Sequence, residues 1–90
     1  MSHAGANILQ ELGPDATLDP ILLCVAAWER RYAVPCPTTH LQSCFALDRA
    51  HLEAFLGLLA AEGLIARVPD GLGAHDARLT AAGWVLVGGV

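Results

Sequence analysis

Apolar residues along the chain fall first into helical stripes and then, past Gly63, into a different pattern. Ile21, Val25, Trp28 and Tyr32 are spaced four, three and four apart, which puts them on one face of a helix. Asp19-Pro20 predicts where that helix starts, with the carboxylate as N-cap and proline at the first helical position, where its missing N–H costs nothing. Its end is expected near Ala33, because Val34-Pro35-Cys36-Pro37 removes two donors and restricts the residue before each proline. A short helix is predicted from about Thr38 to Phe45, burying Leu41 and Phe45. Asp48 can then cap a third helix, in which Leu52, Leu56 and Leu59 form a narrow core-facing stripe. Gly63 supplies the left-handed stop.

After Gly63, residues 64–68 read as a strand, 69–73 as a turn and His75 to Leu79 as a returning strand, which together make a hairpin. Thr80 is expected to cap a last helical turn through Trp84, while Val85-Leu86-Val87 is equally acceptable as strand. Ahead of the first stripe, residues 1–17 read as an N-terminal tail or a short helix carrying Ile8, Leu9 and Leu12. The expected fold is mainly α with a small β-hairpin, formed by one domain over residues 18–87.

The stretch LQSCFALDRAHLEAFLGLLAAEGLI at 41–65, with RLTAAGW at 78–84, resembles the winged helix-turn-helix superfamily, particularly MarR-type transcriptional regulators. Leu41, Leu47, Asp48, Leu52, Leu56, Leu59, Gly63, Leu64 and Ile65 fall where that family places its core, cap and turn residues. The resemblance spans residues 18–87. It implies a winged helix-turn-helix fold, a homodimer and double-stranded DNA as partner, with the third helix in the major groove and the hairpin as a wing on the backbone. Carried over by position, the DNA-binding residues would be Arg49, His51 and Glu53 on the third helix and Arg67 and Arg78 at the base of the wing, near one another across the hairpin.

Charge complicates this picture. The 90 residues carry nine Asp and Glu against five cations, all arginine, for a net charge of -4. Affinity for a phosphate backbone scales with the cations offered. The same helix face therefore has a second reading, as a protein-interaction surface that has lost DNA binding. Ala50, Ala54, Gly57 and Ala61 make a smooth stripe at four, three and four, with Phe55 and Leu58 beside it. Hydrophobic residues make up 54% of the chain, enough to leave apolar surface for a partner or a second copy.

Three cysteines and no basic-then-apolar leader point to a reduced, cytoplasmic protein without a disulfide framework. No uncharged apolar run approaches the roughly 18 residues of a membrane span. Cys24 is expected in the core. Cys36, His40 and Cys44, at intervals of four, would offer a soft metal-ligand set on one helix face, but Cys36 precedes Pro37 and is expected outside the helix, so no metal is expected and the cysteines read as small hydrophobes. The chain has no phosphate loop, no nucleophile elbow and no carboxylate pair in an obvious cleft, so neither an enzyme nor a cofactor is expected.

Overall fold

The helix built on the first apolar stripe is longer than that stripe. In the computed structural model, which describes residues 15–88, α1 spans Asp15–Tyr32 and carries Pro20 inside it. The expected start at Asp19-Pro20 is therefore corrected. Pro20 stands past the first turn, so it forfeits one backbone hydrogen bond of the helix. Beyond Pro20 the helix buries Ile21, Leu22, Val25 and Ala26, each at most 1% exposed. The proposed short helix at Ile8, Leu9 and Leu12 lies outside the described residues. At the other end Ala33 adopts a left-handed φ of 59° and donates its N–H to the Glu29 carbonyl at 2.8 Å, which closes the helix.

A linker leads to α2 (Thr38–Phe45), and the turn 46–48 leads on to α3 (Arg49–Ala61). Ala46 reverses the chain with a φ of 52°. Asp48 then caps α3 as anticipated, its Oδ1 accepting the His51 N–H at 2.8 Å. Leu52, Leu56 and Leu59 are buried, as their spacing requires. Past the end of α3, Gly63 takes a φ of 77°, and the Leu64 N–H returns to the Leu59 carbonyl at 3.0 Å. That left-handed reversal satisfies carbonyls the helix leaves open.

Two strands follow, β1 (Ile65–Pro69) and β2 (His75–Leu79), paired antiparallel with Ile65 opposite Leu79 and Pro69 opposite His75. The Asp70 carboxylate shapes the tip by accepting N–H groups from Leu72 and Ala74 at 2.7 and 3.1 Å. The free edge of β2 is covered from the other side. Cys36 and Ala77 exchange both backbone hydrogen bonds, at 2.7 and 3.0 Å. Pro35 and Pro37 flank Cys36, which keeps the N–H that this pairing uses. Further along, the Leu79 N–H donates to Glu29 Oε2 at 2.6 Å.

The chain turns into α4 (Ala81–Leu86), so the ambiguous segment at 85–86 is helical. Thr80 Oγ1 accepts the Gly83 N–H at 3.1 Å and donates to the Gly63 carbonyl at 2.6 Å, anchoring α4 to the α3–β1 junction. A methyl group on Gly83 would overlap the Leu64 carbonyl oxygen. The molecule is thus mainly helical with one small antiparallel hairpin. Its core draws on α1, the linker, α2, α3 and both strands. Phe45, expected in that core, is only partly buried against it.

Candidate functional site

The side of α3 opposite its leucines is open to solvent. Arg49, Ala50, His51, Ala54, Gly57, Leu58 and Ala61 are all exposed along it. Phe55, the remaining residue of the suggested docking surface, packs partly against the core. Nothing lies within 4 Å of where a Gly57 side chain would begin. The anticipated stripe of small residues is therefore bare surface among the described residues.

The five suggested DNA contacts do not form one cationic face. Arg67 donates from both terminal nitrogens to Glu53, at 2.9 Å to each carboxylate oxygen. It also donates to the His75 carbonyl at 2.7 Å and, through Nε, to the Asp76 carbonyl at 3.4 Å. Its side chain is 19% exposed. This guanidinium is a brace between α3 and the hairpin. The Arg67 hydrogen bonds hold the Glu53 carboxyl below its ordinary range, against the opposing effect of partial burial.

Arg78 pairs with Ala66 while Arg67 pairs with Ala77, so the two arginines project from opposite faces of the hairpin. The expected adjacency fails because side chains alternate along a strand. Arg49 and Arg78 are exposed and enter no ion pair among the described residues. The His51 ring is turned back onto its own helix cap, with Nδ1 at 2.8 Å from Asp48 Oδ2. The His51 backbone N–H, followed by its ring, holds the Asp48 carboxyl low. Asp70 is likewise held low by the Leu72 and Ala74 N–H groups, so this tip carboxylate is turned into its own loop. Leu72 caps the hairpin and is 90% exposed. Neither arginine in the last turn of α1 is extended freely into solvent: the Arg30 guanidinium lies 5.1 Å from the centre of the Trp84 ring, and Arg31 donates to the Tyr32 hydroxyl at 3.1 Å.

A separate cluster joins α1 to α2. Cys24, His40 and Cys44 bring their ligand atoms within 4.8 Å of one another. Spacing alone had grouped Cys36 with His40 and Cys44. Cys36 instead lies fully buried in the linker, its backbone committed to β2 and its Sγ 3.7 Å from the Pro37 carbonyl. Cys24, expected in the core, replaces it at the half-buried edge of α1. The signal for this was present: Cys24 stands three residues after Ile21 and four before Trp28, on the flank of the stripe. Burial pushes the Cys24 thiol up to about 11, with Cys44 adding to the effect, and burial pushes Cys36 up to about 12.

An opening of about 470 Å³ lies between the start of α1, the end of α3 and α4, lined by six leucines together with Asp19 and Glu62. No family model, curated protein or solved structure matches this chain. No helix among the described residues is long and apolar enough to cross a membrane.

Proposed function

We propose that the chain is a winged helix-turn-helix protein of the MarR-like type that acts in transcriptional control, binding double-stranded DNA as a homodimer through the open face of α3. The observation that carries this reading is the exposed face itself. Three helices and a hairpin follow in the order that fold requires, and the outward side of α3 has Arg49 in its first turn, free of any described ion pair. Ala50, Ala54 and Gly57 leave room for a groove wall to come close. Arg49 is the principal base-reading candidate, and Arg78 meets the backbone. His51 offers the ring nitrogen that Asp48 does not hold. Glu53 and Arg67 set the angle of the wing, which revises the direct contacts first suggested for them. Exposed Leu23, Val85 and Leu86 supply apolar surface for the second copy.

Binding to mixed duplex fragments tests this reading, at salt concentrations of about 50 and 200 mM. Saturable binding at the lower salt that weakens at the higher is expected. No binding at the lower salt overturns it. The Arg67–Glu53 pair favours a second reading, in which the same face receives a protein, because it removes one of only five cations from any phosphate contact. In that case Gly57→Leu, which meets open space, abolishes partner capture while the fold survives. Capture that persists in the variant counts against this second reading.

A further inference from the structure

We propose that Cys24, His40 and Cys44 form a zinc site that clips α1 to α2. The two sulfurs and the imidazole come from different helices, yet their ligand atoms already lie within 4.8 Å of one another. Cys44 Sγ is 3.4 Å from His40 Nε2. Zinc bonds of about 2.3 Å to sulfur and about 2.0 Å to nitrogen, at tetrahedral angles, put ligand atoms roughly 3.5 to 3.8 Å apart. The 4.8 Å limit on the observed spread exceeds that range by only about an ångström.

Three features distinguish the cluster from ordinary packing. First, the ligand set is soft, two thiols and one imidazole, which selects zinc over the hard divalent cations. Second, the site has an entrance: Cys44 is exposed, and a shallow pocket of about 190 Å³ reaches Cys24 and His40 past Trp28 and Tyr32. Third, the histidine is positioned from behind, since the Trp28 ring lies against it at a centroid distance of 4.5 Å. Two thiolates also neutralise the ion, so the complex carries no net charge into a half-buried place. On binding, each thiol gives its proton to solvent and the imidazole binds as the neutral base. Water completes the fourth position: the Cys36 thiol neighbours Cys24 but is not among the ligand atoms that all lie within 4.8 Å of one another.

The test uses the full chain without a histidine tag, kept reduced and titrated with zinc against a chromophoric chelator. One zinc per chain is expected. Cys44→Ser and His40→Ala should each weaken binding about tenfold or more, with helical circular dichroism unchanged, as the exposure of Cys44 allows. Cobalt loading should give thiolate-to-metal charge-transfer absorption that Cys44→Ser diminishes. Cys36→Ala should leave the affinity within about threefold, far less than the loss of a ligand or its support. Absence of stoichiometric binding, or binding undiminished by Cys44→Ser, overturns the proposal.

Discussion

Arg67 grips Glu53 with both terminal nitrogens and thereby ties the hairpin to the middle of α3. The Arg67 side chain is 19% exposed and that of Glu53 39%, so water weakens the attraction on the carboxylate side. A double-mutant cycle on Glu53→Ala and Arg67→Ala, followed by urea unfolding, should give a coupling of about 1 kcal/mol. Arg67→Ala should cost more than Glu53→Ala, because it also strips hydrogen bonds from the carbonyls of His75 and Asp76. Arg67→Lys should recover little, since an ammonium cannot reproduce the planar fork.

The same pair makes stability depend on acid. Glu53 has a folded-state value below its ordinary 4.5. A carboxyl lowered in this way contributes fully above its unfolded value, and the contribution is lost as pH falls through the folded one. The stability advantage of the wild type over Glu53→Gln should therefore be constant near neutrality and shrink below pH 4.5. Thermal unfolding of both proteins across that range checks this. An advantage that grows with acid contradicts it.

Gly83 has no room for a side chain. Gly83→Ala drives a methyl group against the Leu64 carbonyl oxygen, a backbone atom that cannot swing away. Overpacking of this kind costs about 1 to 3 kcal/mol. At roughly 4 to 8 °C per kcal/mol for a domain of this size, the melting temperature should fall visibly. Gly57→Ala, in open space on α3, should instead leave stability unchanged or raise it, through better helix propensity.

Thr80 holds two ends at once, accepting from Gly83 and donating to Gly63. Thr80→Ala should destabilise by about 1 to 2 kcal/mol, at the upper end for a lost cap. Thr80→Ser keeps the hydroxyl and should recover most of that loss. Hydrogen exchange at the Gly83 amide should accelerate in the alanine variant and remain slow in the serine one.

On the DNA reading, Arg49→Ala should lower affinity and reduce the dependence of log K on log salt by about one unit per site. Arg30→Ala should leave that slope unchanged, since its guanidinium lies over Trp84. Equal slopes for the wild type and Arg49→Ala would remove Arg49 from the interface.

Local chemistry was readable from the chain wherever one residue type serves one backbone need. Asp48 and Thr80 as caps, Gly63 as a left-handed stop and the returning strand at 75–79 follow from such needs, and each is found in the structure. The start of α1 was not readable, because a proline that is favoured at a first helical position is also accommodated inside a helix, and here the helix begins five residues earlier, at Asp15. The Arg67–Glu53 brace and the Cys24–His40–Cys44 cluster were not readable either. Each joins residues from separate elements, and their meeting is set by how helices pack and which face of a strand is turned inward. Spacing by four named Cys36 for the cluster, but the linker had a prior use for it at the edge of β2.

That use of Cys36, together with the Glu29 contact to Leu79, has a consequence for biosynthesis. The segment holding the end of α1 and the linker in place is β2, made some forty to fifty residues later. A growing chain that has released α1, α2 and α3 still lacks the strand that pairs with Cys36. Vectorial folding therefore stays incomplete until residue 79 has left the ribosome, and closure of these distant contacts should set the pace of the final step.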